Sequence, residues 1–164
     1  MPIVSLSMLP DESRVWIFGA DDPLHGEWSA RLLGEVDHFL AQWKAHGVPL
    51  SCARDWRDDH FLTVGVDTTQ ESASGCSIDG LFRTLQTLER ALGTRLVAGG
   101  RVFYRDAGGA VRAVSRAEFT ALAERGVVSP DTVVFDTSLT TLGDWRTRFA
   151  APARTGWTAQ LLAR

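Results

Sequence analysis

Two periodicities alternate along this chain. Ser13 to Gly19 (SRVWIFG) is a short apolar stretch that predicts a strand, broken by Asp21-Asp22-Pro23. Over Glu27 to His46 the pattern changes. Leu32, Val36, Phe39, Leu40 and Trp43 recur as one stripe of a 3.6-residue helix. Gly47 is placed to cap that helix and Pro49 to prevent its continuation. Leu50 to Arg57 and His60 to Asp67 then read as two strands around an Asp58-Asp59 turn. Leu62, Val64 and Val66 alternate as in a half-buried strand. A small, polar loop follows from Thr68 to Gly75, of a length that often carries function. Ser77 to Leu92 is the strongest helix, striped by Ile78, Leu81, Phe82, Leu85, Leu88 and Leu92 and closed by Gly93.

Arg101 to Asp106 returns as a strand, and Ala107-Gly108-Gly109 turns it into a second, Ala110 to Val114. Ser115-Arg116-Ala117-Glu118 has the spacing of a capping box, in which a Ser side chain and a Glu three residues on satisfy each other's free amides. It opens a short helix, Ala117 to Arg125, stopped by Gly126. Ser129-Pro130-Asp131 turns into a strand over Thr132 to Asp136. The last thirty residues hold Trp145, Trp157 and Pro152 and few regular signals. They are expected to wrap onto the body through the tryptophans.

The order β-α-β-β-α-β is that of a ferredoxin-like split unit, two helices over one face of a four-stranded antiparallel sheet. The predicted class is α+β. Residues 1–106 form the ferredoxin-like unit, and residues 107–164 form a smaller extension and tail that shares strand 101–106 as a hairpin.

Charge and composition narrow the functions. Seventeen basic against 20 acidic side chains leave a net charge of −3, against a coat for nucleic acid or anionic membrane. No apolar run approaches the length of a spanning helix, and Met1-Pro2-Ile3-Val4 lacks the start of a secretory signal. The expected location is the cytoplasm. The two cysteines, Cys52 and Cys76, form no C-x-x-C, and no two histidines stand as H-x-x-x-H, so neither a metal site nor a cofactor is implied. The one lysine, Lys44, follows Trp43, whereas a phosphate-binding loop needs its lysine directly after a glycine.

Ser74-Gly75-Cys76-Ser77-Ile78-Asp79 lies where the long loop meets the N-terminus of the strongest helix. Free amides and the helix dipole favour an anion there and lower a thiol pKa. Cys76 is therefore a candidate nucleophile, with Ser74, Gly75, Ser77 and Asp79 as binding residues and His46 as base if the fold brings them together. The structural alternative makes Ser74 or Ser77 a cap, Asp79 a partner of the dipole, Cys76 a packing residue and His46 a charge at a helix C-terminus. Asp55, Arg57, Asp58, Asp59 and His60 crowd one hairpin. They could hold a divalent ion, but residues adjacent on a strand alternate faces and cannot all converge. Asp55 and Arg57 stay as candidate binding residues. Trp16 and Trp56 can share one sheet face, a stacking platform for RNA if that face were open; the C-terminal hairpin and tail are expected to cover it.

Arg14-Val15-Trp16-Ile17-Phe18, Trp43-Lys44-Ala45-His46-Gly47 and above all Ala73-Ser74-Gly75-Cys76-Ser77-Ile78-Asp79 resemble a family of short bacterial proteins often labelled "ABC transporter ATPase". The likeness extends through Thr132 to Asp136 and the Pro152 to Trp157 end. It supplies a family but no activity, since the Walker lysine and the ABC signature are both missing. Val102 to Asp136 is similar in layout to GYF-type peptide-binding modules, with Arg112-Ala113-Val114 near where their Gly-Pro-Phe would fall. The C-terminal extension is in that sense GYF-like.

The function these readings support first is a small cytosolic binding or adaptor protein and not an ATPase. Its partner would be a protein or peptide, or a second copy of the chain, with no membrane. The alternatives are a thiol-dependent hydrolase or transferase acting on an anionic substrate at Cys76, and an RNA-binding module.

Overall fold

The computed structural model describes residues 5–45, 47–49, 51–68, 75–97 and 99–162, the side chains of 45, 48–49 and 75–77 excepted. Its strands are β1 (Arg14–Gly19), β2 (Lys44–Ala45), β3 (Val48–Pro49), β4 (Cys52–Arg57), β5 (Phe61–Val66), β6 (Arg101–Arg105), β7 (Val111–Ser115), β8 (Val133–Phe135) and β9 (Ala150–Pro152). Its α-helices are α1 (Glu27–Ala41), α2 (Gly75–Leu92), α3 (Arg116–Glu124) and α4 (Leu142–Arg148). The chain is a mixed α+β fold with two main antiparallel sheets, ordered β1-β5-β4 and β7-β6-β8-β9.

The first half builds a three-stranded antiparallel sheet with β5 at its centre. β5 pairs with β1 through Trp16↔Val64 and with β4 through Arg54↔Val64. The expected fourth strand does not join them. β6 instead pairs with β7 and β8 in the second sheet, so the predicted four-stranded sheet is three-stranded among the described residues, with β1 at its edge.

The two sheets stack, and the core divides accordingly. On the outer face of the first sheet, Phe18, Leu62, Val64 and Val66 pack against Leu32, Val36 and Leu40 of α1 and Leu81, Leu85 and Leu88 of α2. On its inner face, Val15, Ile17, Ala53 and Phe61 meet Phe103 and Phe135 of the second sheet and Leu142 and Trp145 of α4. Beyond the second sheet, Val102, Tyr104 and Val134 pack under Phe119 of α3 and Trp157 of the C-terminal 3-10 turns. Phe61 is the hinge of the stack. Fully buried, it lies 5.2 Å from the ring of Phe103, 4.7 Å from Phe135 and 5.1 Å from Phe149. Burying one such ring is worth about 1.5–3 kcal/mol.

Four local readings change. The alternation in β5 suggested one buried face, yet all six of its residues are buried, because the second sheet covers the face of Phe61 and Thr63. The first helix ends at Ala41 rather than continuing to His46. Trp43 is buried outside the helix, and Gly47, at φ 78°, serves the turn between β2 and β3 instead of a helix cap. The Asp58-Asp59 turn, by contrast, stands where it was expected, with positive φ (56° and 55°) and so a left-handed backbone at both residues despite the absence of glycine. In the tail, Thr141 accepts a hydrogen bond from the Asp144 amide at 3.3 Å and starts α4, whose Trp145 is buried in the inner core.

Elsewhere the local chemistry matches the pattern. Ser115 Oγ accepts from the Glu118 amide at 3.1 Å, as a capping residue should. The β6–β7 turn is held by Asp106, whose carboxylate accepts the amides of Gly108 at 3.0 Å and Ala110 at 2.9 Å.

Candidate functional site

The stack leaves no open face on the first sheet. Trp16 and Trp56 do share a face, but it is the helix-covered one, where Trp16 packs 5.8 Å from the ring of Trp43. The opposite face lies under the second sheet and α4. A base-stacking platform in the manner of an RNA-binding sheet needs one of these faces exposed.

What the stack leaves accessible is an edge. Along β1, residues 14, 16 and 18 turn their backbone groups toward β5, and residues 15, 17 and 19 turn theirs the other way. At one end of that outer edge the Val15 amide donates to the Thr140 carbonyl at 2.9 Å. At the other end the Asp21 amide donates to the Arg95 carbonyl at 3.2 Å. Between these ties, among the described residues, Ile17 and Gly19 have no backbone hydrogen bond across this edge. A cleft of about 300 Å³ opens there, walled by Arg14 to Gly19, Phe82, Leu96, Val97, Gly99, Phe103 and Thr137 to Thr140. It is at the small end of ligand-binding cavities.

The fold explains each wall. Phe82 stands in the α2 stripe and meets Phe18 edge-on at 5.4 Å. Leu96 and Val97 are held by Glu89, whose Oε2 accepts the Leu96 amide at 2.6 Å and the Val97 amide at 3.0 Å. Phe103 lies over Gly19 so closely that a Cβ there would stand 2.4 Å from the ring. Thr137 to Thr140 form the passage from β8 to α4, and Asp136 fixes its start by accepting the Ser138 amide at 2.9 Å.

A second groove, also about 300 Å³, runs beside β9 and is lined by Val134, Ala151, Pro152 and Trp157. Its threonine hydroxyls are spent on the chain itself: Thr147 donates to Gly143, Thr155 to Pro152 and Thr158 to Ala153. Its two charged groups are likewise engaged within the chain, Asp136 by the Ser138 amide at 2.9 Å and Arg148 by Asp144 at 3.6 Å.

The residues singled out in the sequence fall into three groups. His46 and Ser74 lie outside the described residues. Gly75, Cys76 and Ser77 form the start of α2, and of their side chains nothing is described; Asp79, in the same turn, is exposed. The expected pairing of Cys76 with His46 therefore lies outside the described residues. The hairpin residues are dispersed. Asp55 accepts from Arg57 Nε at 2.8 Å, and the Arg57 guanidinium lies 4.4 Å from the centre of the Trp145 ring, tying β4 to α4. Asp58 faces Arg105 at 3.4 Å, Asp59 faces His25 at 4.0 Å, and buried His60 uses Nδ1 on the Ala20 carbonyl at 2.7 Å. Among the described residues no three His, Cys, Asp or Glu side chains are placed to share a metal ion.

Electrostatic perturbations lie away from the cleft. Burial pushes the Cys52 thiol up to about 11, its Sγ 3.6 Å from the Leu40 carbonyl. The hydrogen bond to Asp37 raises Arg54. The hydrogen bond from Arg112 holds Asp106 below the usual carboxylate range, with the amides of Ala110 and Gly108 adding to it.

Reasoning from sequence missed the cleft because it depends on where β6 goes. Predicted into the first sheet, that strand would fill the place. The doublet Gly99-Gly100 just before β6 is the one signal of a change in direction. In membrane terms, no described helix is long and apolar enough to cross a bilayer. Compared with known proteins, the chain matches no protein-family model, no curated protein and no solved structure.

Proposed function

We propose that this chain is a protein-binding module of the cytoplasm that takes a peptide segment of a partner into the cleft beside β1. One observation carries the reading. Both faces of the first sheet are covered, while the outer edge of β1 opens into a cleft between two backbone ties. The second half supports it, since its capped helix between β7 and β8 keeps the layout that resembles GYF-type peptide-binding modules. Nucleotide hydrolysis has no support: the single lysine sits in β2, after a tryptophan and not a glycine.

The test is selection of random linear peptides on the full chain, followed by photo-crosslinking. A photoreactive residue replaces Ser138, an exposed wall of the cleft, or Thr87, an exposed position on α2. The reading expects enriched peptides that crosslink from position 138 and not from 87. A chain that enriches no peptide, or crosslinks equally from both positions, is not a module of this kind.

A further inference from the structure

We infer that the occupant of the cleft binds by strand addition: a short, extended stretch of a partner polypeptide pairs with the outer edge of β1 at Ile17 and Gly19. This rests on the reading of the chain as a peptide-binding module and specifies how that binding works.

The edge itself selects main chain as the ligand. Ile17 and Gly19 turn amide and carbonyl outward, in the same sense as Val15, whose amide already makes a strand-like bond to Thr140. Among the described residues neither has a backbone partner across that edge. Ile17 is 8 % exposed and Gly19 half-buried, so this edge forms a wall of the cleft. A main-chain amide or carbonyl without a protein partner gains a hydrogen bond when an added strand pairs with it. An extended peptide presents donors and acceptors at the same spacing and satisfies them together, whereas an apolar small molecule of the same volume leaves them unpaired.

The ties at Val15 and Asp21 set the length. Six residue steps of strand span roughly 20 Å. The two ends are occupied by Thr140 and Arg95, which leaves room for about four residues of added strand. A longer segment must turn out of the sheet plane at each tie. The walls set the chemistry of the side chains. Alternate residues of an added strand point to opposite faces. One set meets Phe82, Leu96 and Val97, and the other meets Phe103 and Leu139. Both sets are therefore apolar, with β-branched residues favoured by the extended backbone. Among the described residues β1 is an edge strand of the first sheet, paired there with β5 alone.

The experiment uses the full, 15N-labelled chain and pools of blocked tetrapeptides drawn from Val, Ile, Thr and Ser. The same pools with alternate amides N-methylated serve as the comparison. Strand addition predicts that at least one unmethylated pool shifts the Ile17 and Gly19 amide resonances and slows their hydrogen exchange at least about tenfold. The methylated peptides lose that binding. Equal binding by methylated peptides overturns strand addition, as does binding that moves resonances around Trp157 while Ile17 and Gly19 stay unchanged. In those two cases the peptide-binding reading survives. If neither the tetrapeptides nor the longer selected peptides bind at all, both fall.

Discussion

Gly19→Ala is the sharpest perturbation of the sheet stack. Gly19 ends β1, and the Phe103 ring of β6 lies over its Cα; an added Cβ would stand 2.4, 2.7 and 2.9 Å from three ring atoms. Carbon atoms in contact prefer about 3.5–4.0 Å, so the ring must move by about an ångström. It has little freedom to do so, being 3 % exposed and packed edge-on against Phe61. Overpacking of this kind costs about 1–3 kcal/mol. Against it stands the smaller chain entropy of alanine in the unfolded state, a gain of about 0.4–1 kcal/mol. The net expectation is a loss of about 1–2 kcal/mol, which in a domain of this size lowers Tm by about 2–8 °C. Thermal unfolding of Gly19→Ala, Phe103→Leu and the double variant measures it. Removing the ring edge should relieve the clash, so the double variant should lose less than the sum of the single losses. A Gly19→Ala protein as stable as the parent, or strictly additive losses, would refute the packing of β6 over β1 and the cleft geometry with it.

Three further outcomes test separate parts of the structure. Gly34 is exposed in α1, and a Cβ added there would meet nothing within 4 Å, so Gly34→Ala should stabilise by about 1 kcal/mol in denaturant unfolding. Cys52, its thiol raised to about 11 by burial, should be only about one part in a thousand thiolate at pH 8, so native alkylation should be negligible at Cys52 and mass spectrometry should place any label elsewhere. Asp106 is held below the ordinary carboxylate range, chiefly by Arg112, so its contribution is present above the unfolded carboxylate pKa and is lost as pH falls through the folded value. Asp106→Asn should therefore lower Tm at neutral pH, with the difference from the parent narrowing below about pH 4; a gap independent of pH would show that the ion pair contributes nothing.

Local signals carried most of the secondary structure. The stripe from Ile78 to Leu92 became α2, the Ser115–Glu118 box capped α3, and the Gly108-Gly109 turn closed the β6–β7 hairpin, because each is decided by neighbours within a few residues. The pairing of β6 was not legible. An apolar strand such as RVFYR fits either sheet, and the choice depends on Phe103 finding Phe61 and Gly19, residues at least 42 positions away. The same omission made β5 look half-buried, since the partner for its second face was assigned elsewhere. α4 was overlooked although Thr141 and Asp144 have N-cap spacing, because the helix has only seven residues and little periodicity to show. As for the candidate site, Asp58 faces Arg105, Asp59 faces His25 and His60 turns inward to Ala20, as alternation along a hairpin dictates. The cleft has no signature residues at all: its recognition groups are backbone amides and carbonyls, which every sequence possesses.

Hydrogen exchange along β1 of the unliganded protein tests the central claim most directly. Trp16 and Phe18 direct their amides to β5, whereas Ile17 and Gly19 direct theirs to the open edge. The account predicts alternation: slow exchange at Trp16 and Phe18, fast exchange at Ile17 and Gly19, and slow exchange again at Val15 and Asp21, where Thr140 and Arg95 hold the edge. Uniform protection from Val15 to Asp21 would mean that the chain fills this edge itself, and no place would remain for a partner's strand.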